Sequence, residues 1–363
     1  VEGSELHLAF HSGISLAASD ITRFGDVDKP DLLLFPVPST LNVLPWRPSH
    51  GKVVRMFCDI RHPDGTPFER DSRLILRRAT ERAAQMGLTV QVGAEFEFYL
   101  FKTDANGDPT KEPFDRAGYM DVAPEDRGEN VRREICLTLL DMGILPECSH
   151  HEEGPGQNEI DFRYSDALRA ADDAMNFQTV VKATAQRNGL YADFSPKPLP
   201  GESGNGLHIN LSLTSADGAD RLPAFMAGIL AHVAECTAFL NPTEDSYLRL
   251  GEKKAPCYVT WSPENRSPLI RIPAADRAHR RLEVRSPDPL ANPYLAYALL
   301  IHAGLDGIET GMTPPPPVNG NLFRADAATT EKLVRLPASL SKARALAKDS
   351  AFIRKYLPGF LAF

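Results

Sequence analysis

Four segments alternate polar and apolar residues, and their polar positions carry side chains that bind metals or anions. In residues 90–101, Glu95 and Glu97 share one strand face, while Phe96 and Phe98 point the other way. The polar positions of residues 158–164, 207–213 and 281–285 hold Glu159, Asp161, His208, Asn210, Ser212, Arg281, Glu283 and Arg285. A solvated polar face is the ordinary explanation for any one strand. Four such strands, rich in carboxylates, indicate a functional surface.

Closely spaced carboxylates in these strands predict a bound divalent metal. Glu95 and Glu97 repel each other at this spacing unless a cation lies between them. Two further acids, Glu152 and Glu159, flank a Gly-Pro-Gly turn that could bring both to one point. Carboxylates with at most one histidine are hard ligands, which suit Mg²⁺ or Mn²⁺ better than a structural Zn²⁺. For the histidine pair at 150–151, a core or supporting role is favoured over ligation.

A set of arginines forms the second group with chemical potential. The set lies within 40 residues and consists of Arg249, Arg266, Arg271, Arg281 and Arg285. A solvated basic face is one explanation, but arginine buried beside carboxylates commonly binds phosphate or a substrate carboxylate through paired hydrogen bonds. Metal ligands together with arginines suit phosphoryl transfer, in which the protein mainly positions and neutralises charge. The Walker A and Rossmann glycine patterns are absent from the sequence.

The elements that must position these residues follow from hydrophobic periodicity and end signals. The pattern predicts a buried strand over 53–59 and a helix from Asp71 or Ser72 to a stop at Gly87. Further helices are predicted over 125–142, with a stop at Gly143, over 166–188, with a stop at Gly189, and over 223–239 and 293–309, with a last pair within 325–356. Residues 1–50 are rich in loops and resemble the end of a domain whose beginning is absent.

Composition excludes several classes of protein. The 363 residues include 40 Lys and Arg against 48 Asp and Glu, and a net charge of −8 argues against general nucleic-acid binding. No run approaches 18 consecutive apolar residues, so no membrane span is predicted. Five cysteines without a CxxC pair favour a reducing environment, and we therefore expect a cytoplasmic location.

Five motifs together resemble the glutamine synthetases. They are Gly-Ala-Glu-Phe-Glu-Phe at 93–98, the segment around His-Glu and Gly-Gln-Asn-Glu at 151–159, and Gly-Asn-Gly-Leu-His at 204–208. The other two are the Asn-Arg-Ser segment at 265–273 and the Arg-Leu-Glu-Val-Arg segment at 281–295. The resemblance extends from about residue 10 to the last residue, and the combination of motifs is highly specific.

The resemblance implies an α+β fold and an ATP-dependent ligase. Residues 51–363 would form a catalytic domain whose antiparallel sheet makes a funnel flanked by helices. Residues 1–50 would be the C-terminal part of a β-grasp-like domain whose start is missing. The family joins glutamate to ammonia through γ-glutamyl phosphate, with two divalent cations, Mg²⁺ or Mn²⁺. It forms ring-shaped homo-oligomers with each active site between neighbouring subunits, and its substrates are small molecules.

The resemblance also assigns roles by position. Two metals would be held by two sets of three ligands, Glu97, Glu152 and Glu159, and Glu95, His208 and Glu283. Catalytic roles on the phosphoryl group and the flap would fall to Arg266, Arg281 and Lys254. Glutamate would be bound by Arg249, Arg285, Ser203 and Gly204. The nucleotide would be contacted by Ser212, Asn210 and Arg271.

Two departures from the family pattern concern the ammonium site. The family's flap motif is Glu-Ala-Pro, and its glutamate closes the site and takes a proton from ammonium; here Lys254 stands at that position. Near the N-terminus His11 stands where the family has an aspartate that helps to bind ammonium. Ammonium needs anionic or carbonyl ligands, so the loss of both acids weakens its site. Asn210 and Ser203 also replace the usual histidine and asparagine.

Three functions remain open from the sequence. The first, which we favour, is an ATP-dependent γ-glutamyl ligase that uses an amine other than ammonia. The second is glutamine synthetase proper, with Glu252 or His11 as the base. The third is a non-catalytic relative, which predicts loss of metal ligands although all six are present.

Overall fold

The computed structural model describes residues 3–22, 24, 28, 31–47, 51–274 and 280–361. Its helices are α1 Leu6–Ser12, α2 Ser72–Gln85, α3 Glu129–Asp141, α4 Ala167–Arg187, α5 Leu222–Leu240, α6 Ser246–Arg249, α7 Pro293–Glu309, α8 Ala327–Thr330, α9 Leu340–Asp349 and α10 Ala351–Tyr356. Its strands are β1 Ile14–Ala17, β2 Asp31–Pro36, β3 Asn42–Val43, β4 Val54–Arg55, β5 Cys58–Arg61, β6 Leu88–Thr103, β7 Pro109–Pro113, β8 Pro146–His151, β9 Gln157–Asp166, β10 Leu190–Asp193, β11 Leu207–Ser215, β12 Trp261–Pro263, β13 Ile270–Ile272 and β14 Leu282–Val284. The predicted α+β class is confirmed.

A large sheet organises the chain. Its strand order is β12-β13-β14-β11-β6-β9-β8, and β7 and β10 also pair with β6. Apart from the parallel β12–β13 pair, these pairings are antiparallel. The central strand β6 places Glu95 opposite both His208 and Asp161, and Glu97 opposite Glu159. Register alone therefore brings together acids that are far apart in sequence.

The apolar face of this sheet packs against helices. Phe96 and Phe98 are fully buried, and their rings lie 5.0 and 6.4 Å from that of Phe177 in α4. Burial of each such ring stabilises the fold by about 2 kcal/mol. Because side chains alternate along β6, burial of the two phenylalanines fixes Glu95 and Glu97 on the opposite, polar face.

The end signals of three predicted helices are confirmed. The Asp71 side chain accepts a hydrogen bond from the Arg73 N–H and so caps α2. Gly87, Gly143 and Gly189 follow α2, α3 and α4 with positive φ, as expected of residues that end helices.

Two helix predictions need correction. Helix α3 begins at Glu129 and not near residue 125, because Asp126 instead pairs with Arg132 and accepts the Gly128 N–H. The region 325–356 contains three helices, α8 to α10, where a pair was predicted. Ser350 divides the last two: it ends α9 and its hydroxyl caps α10 by accepting the Ile353 N–H.

The prediction of one buried strand over 53–59 is wrong. The segment contributes to two short strands with different partners, since β4 pairs with β3 and β5 pairs with β2. Val53 and Val54 are 40 and 41% exposed, so their apolar character does not signal burial within this chain. Strand β5 completes a three-stranded sheet with β1 and β2. The domain boundary after residue 50 stays a prediction.

Among the residues that the structure describes, one helix is long and apolar enough to cross a membrane by length and composition. It is α5, and 67% of its most apolar window is buried inside the fold. Gly228 of α5 lies against α7 so closely that a Cβ there would come within 2.0 Å of the Ala303 carbonyl oxygen. Such close packing identifies α5 as a helix of the protein core.

Candidate functional site

The polar face of the large sheet gathers a first cluster of metal-binding side chains. Glu95, His208 and Glu283 come from β6, β11 and β14, and one ligand atom of each lies within 4.8 Å of the others. The His208 Nδ1 is 3.0 Å from Glu95 Oε2 and 4.0 Å from Glu283 Oε1. Asn210 donates a 2.8 Å hydrogen bond to the other oxygen of Glu95. The structure therefore brings together one predicted set of three ligands.

A second cluster adjoins the first. His150, Glu152 and Glu159 also have ligand atoms within 4.8 Å of one another. Glu97 faces Glu159 across the β6–β9 pair, and its Oε1 lies 4.0 Å from His208 Nε2. The second predicted ligand set thus lies beside the first. The cluster also contains His150, to which the sequence assigned no ligand role.

The surroundings of Glu97, Glu159 and Asp161 disfavour the charged forms of these three carboxylates. Burial raises the pKa of Glu97, and the charge of Glu152 adds to the effect. Burial, with the charges of Asp161, Glu97 and Glu95, raises the pKa of Glu159 well above its ordinary value. Burial and the charge of Glu95 raise the pKa of Asp161 to about 8. A divalent cation among these oxygens would stabilise the charged forms, so the donor set fits a hard cation.

Glu283 differs because arginines surround it. Arg271 Nη1 donates to Glu283 Oε2 at 2.7 Å, and Arg285 pairs with the other oxygen. Burial opposes its ionisation, but the charges of Arg285, His208 and Arg271 outweigh burial and lower the pKa of Glu283 to about 2. Glu283 is therefore ionised throughout the ordinary pH range. Arg271 also donates to the Glu264 carbonyl oxygen. Its guanidinium group is therefore held by two protein groups, Glu264 and Glu283.

Two of the other arginines hold their positions by hydrogen bonds to the protein. The Arg249 guanidinium donates to the carbonyl oxygens of Ser286 and Arg285, at 2.8 and 3.3 Å. Arg281 Nε donates to Asn210 Oδ1 at 3.1 Å. Arg249 is buried, so its charge is fixed in place before any anion arrives.

Two cavities meet at Glu95. The larger, of about 670 Å³, is lined among others by Ser212, Asn210 and Arg281. The smaller, of about 350 Å³, is lined by predicted metal and glutamate residues, which are Glu95, Glu97, Glu152, Glu159, His208, Arg249, Arg266, Arg285, Ser203 and Gly204. The residues predicted for nucleotide and for glutamate thus separate into adjoining spaces, except Arg271, which contacts Glu283.

The flap that carries Lys254 borders the smaller cavity. Lys254 and Lys253 line it together with Tyr119. The Lys254 ammonium group forms an ion pair with Glu153, and it lies 5.9 Å from the centre of the Tyr119 ring. The Lys254 side chain is therefore anchored at the edge of the cavity, although more than half of it stays exposed to solvent.

Sequence reasoning missed several residues of the site. Asp161 was placed on the polar face of its strand but given no role, although it lies two positions after Glu159 and joins a group with Glu95 and Glu159. Gln157 donates to Glu97 Oε2 and to the Gly204 carbonyl oxygen, at 3.4 and 3.1 Å. Glu153 could not have been found, since its partner lies 101 residues away.

His151 has the supporting role that was favoured for the histidine pair. It is fully buried, its Nδ1 lies 2.6 Å from the Glu152 carbonyl oxygen, and its Nε2 lies 2.8 Å from Asp115 Oδ1. Burial alone would lower the pKa of His151, but Asp115 outweighs it and raises the pKa. The Asp115–His151 pair therefore orients the loop that carries Glu152.

Fold and site together define a class of enzyme. Acidic clusters suited to hard cations adjoin fixed arginines, and two cavities that share Glu95 lie side by side. This is the equipment of metal-assisted transfer between two anionic molecules.

Comparison with known proteins identifies the family. The model of the glutamine synthetase catalytic domain matches residues 69–361, and that of the glutamine synthetase β-grasp domain matches residues 2–63. The glutamine synthetase of Methanosarcina mazei is 43% identical to this chain, and that of Clostridium saccharobutylicum is 42% identical. Both alignments span 98% of this chain, and they span 83 and 84% of the two relatives. The chain belongs to the glutamine synthetase family, and it is a ligase that forms C–N bonds.

Solved structures agree with this assignment. A complex of GmaS with ADP has a TM-score of 0.88 and 31% identity over 98% of this chain and 85% of that chain. The glutamine synthetase of Plasmodium falciparum, at 24% identity, has a TM-score of 0.83 over 98% of this chain and 84% of that chain, which shows the shared fold. The family depends on ATP and divalent cations.

Proposed function

We propose that this chain forms a γ-glutamyl amide from glutamate, ATP and an amine other than ammonia. The observation that carries the proposal is Lys254, a cationic side chain at the flap position where the resemblance expects an acid. Lys254 borders the smaller cavity and is paired with Glu153. A cation at this place repels ammonium and alkylammonium alike, but an organic amine can also be held by apolar contacts that ammonium cannot make.

Residue roles in this proposal follow the two cavities. Mg²⁺ or Mn²⁺ would be held by Glu97, Glu152 and Glu159, and by Glu95, His208 and Glu283, and would neutralise phosphate charge when bound. Arg249 and Arg285, with Ser203 and Gly204, would bind the carboxylates of glutamate. Ser212 and Asn210 would bind the nucleotide. Arg271 would act through Glu283, to which it donates a hydrogen bond.

The reaction has two steps. A γ-carboxylate oxygen of glutamate attacks the γ-phosphorus of ATP, the bond to the β-phosphate oxygen breaks, and ADP leaves. Arg266 and Arg281 would stabilise the charge on the phosphoryl group during this transfer. The amine nitrogen then attacks the γ-carbonyl carbon, the bond to phosphate breaks, and the nitrogen loses a proton.

Glutamine synthetase proper is the second candidate. The observation in its favour is that the relatives 42 to 43% identical to this chain are named glutamine synthetase. In that case Glu252 or His11 would replace the missing acids. The structural neighbour named GmaS, a γ-glutamylmethylamide synthetase, supports the amine reading instead.

The decisive experiment is a phosphate-release assay with ATP, Mg²⁺ and glutamate against a panel of amines. We expect kcat/KM for at least one primary alkylamine to exceed that for ammonium by about tenfold or more, equivalent to about 1.4 kcal/mol of selectivity. Assays at constant ionic strength and at one pH keep electrostatic screening and the ionisation of the enzyme comparable. A wild-type protein that prefers ammonium would establish glutamine synthetase as its function.

A further inference from the structure

The smaller cavity contains a carboxylate that the proposed reaction does not use. Glu153 follows the predicted ligand Glu152, yet its oxygens face other partners. One oxygen pairs with the Lys254 ammonium group, and the other accepts a 3.4 Å hydrogen bond from the Ser203 hydroxyl. Glu153 thus lies between the flap and the glycine-rich loop that precedes β11.

The position of Glu153 is fixed by its neighbour Gly154. A Cβ on Gly154 would lie 1.9 Å from the Tyr99 hydroxyl oxygen, so the loop packs on Tyr99 without room for a side chain. The Tyr99 hydroxyl in turn donates a 2.6 Å hydrogen bond to the Ser203 carbonyl oxygen. One buried tyrosine therefore supports both loops, and it holds the Glu153 carboxylate at a defined place in the cavity wall.

The flap is also held in a specific conformation. Lys253 and Lys254 have φ values of 42° and 70°, a left-handed region that residues with a Cβ adopt at a cost. Hydrogen bonds between Gly251 and Ala255 and between Ala255 and Glu252 close the turn, at 2.9 Å each. This turn directs Lys254 toward Glu153 and the face of Tyr119.

We propose that Glu153 and Tyr119 form a cation subsite that Lys254 fills with its own ammonium group. A carboxylate beside an aromatic face attracts a primary ammonium ion by charge and by cation–π interaction. Because Lys254 is tethered, it occupies the subsite at an effective concentration that free ammonium does not match. The pair thus withholds this subsite from ammonium, which has only polar contacts to bind with, whereas an organic amine keeps its apolar contacts; this inference rests on the proposed function.

The test measures ammonium-dependent turnover in a double-mutant cycle. The variants are K254M, which uncovers the carboxylate, E153Q, which removes its charge, and the combination E153Q/K254M. We expect K254M to raise kcat/KM for ammonium by about fivefold, through KM, as fits a partly exposed ion contact. The gain should disappear in the double variant and be absent from E153Q.

A matched control uses an ion pair remote from both cavities. Lys102 and Glu112 pair at the β6–β7 edge with a similar exposed geometry, so E112Q should leave every parameter at the wild-type value. The proposal is overturned if K254M leaves ammonium kinetics unchanged, or if the gain persists in E153Q/K254M. It is equally overturned if kcat falls alike for every amine in all variants, which would mean that the pair only holds the flap.

The outcome is independent of the test of function. The amine preference of the wild-type protein decides the proposed function, whereas the inference depends on changes in ammonium kinetics between variants. A wild-type protein that prefers ammonium, together with a Glu153-dependent gain in K254M, would refute the function and retain the subsite. A wild-type protein that prefers an organic amine, without that gain in K254M, would support the function and refute the subsite.

Discussion

At the scale of single residues, Glu97 is central to the predicted metal site. It lies in β6 opposite Glu159, and the Gly206 N–H donates a 2.7 Å hydrogen bond to its Oε2. Burial raises its pKa, so a bound cation and an ionised Glu97 stabilise each other. Its side chain therefore links metal binding to turnover.

We predict that Glu97→Ala lowers kcat by about 100-fold or more at saturating Mg²⁺, because phosphate charge would lose part of its compensation. The Mg²⁺-dependent rise in Tm should shrink in the same variant, since binding to the folded state is what stabilises it. Steady-state kinetics and thermal unfolding with and without Mg²⁺ measure both effects. Near-normal activity would remove Glu97 from the ligand set.

At the scale of elements, the loop between β8 and β9 depends on the absence of a side chain at residue 154. The Gly154 N–H donates a 2.9 Å hydrogen bond to Gln157 Oε1, which closes the turn that carries Glu152 and Glu153. A methyl group there would collide with Tyr99, as its Cβ would lie 1.9 Å from the hydroxyl oxygen.

We predict that Gly154→Ala lowers the free energy of unfolding by about 2 kcal/mol, as expected when a well-packed core must shift. Activity should fall as well, because Glu152 would move with the loop. Gly320→Ala is the matched control: a Cβ there meets nothing within 4 Å, and its cost should stay within about 0.5 kcal/mol. Denaturant unfolding and phosphate release provide the measurements, and equal stability of the two variants would contradict the prediction.

The elements also show what could be predicted from the sequence. Alternation in β6, β9 and β11 predicted which residues share the polar face, because one apolar face must be buried and a strand has only two faces. The assignment of roles came from the family motifs. The prediction of one buried strand over 53–59 was wrong, because two short strands with different partners follow one another there.

The flap marks the limit of such prediction. Sequence comparison indicated that Lys254 stands at an unusual position, but not where its side chain goes. The direction of the Lys254 side chain depends on the left-handed backbone of Lys253 and Lys254. It also depends on the Glu153 loop, which packs on Tyr99, 155 positions before Lys254 in the chain. The Glu153 contact therefore emerges only from tertiary structure.

At the scale of the whole molecule, the exposed apolar side chains bear on assembly. Leu8 and Phe10 in α1 are exposed, and so are Tyr119, Met120 and Val122 beside the smaller cavity. Single exposed apolar residues are normal, but groups of them next to a functional site mark surfaces that bind other proteins. We propose that these groups are covered in a ring-shaped homo-oligomer, in which His11 of one subunit approaches the cavity of the next.

We predict that the active protein is an oligomer and that Phe10→Glu dissociates it with loss of activity. A carboxylate at residue 10 would place a charge in an apolar interface, where desolvation is costly. Leu346→Glu on α9, a comparably exposed leucine away from both groups, should leave mass and turnover unchanged. Light scattering after size exclusion, with phosphate release across the peak, measures both properties. A wild-type protein that is strictly monomeric and fully active would contradict the prediction and would show that each cavity is complete in one chain.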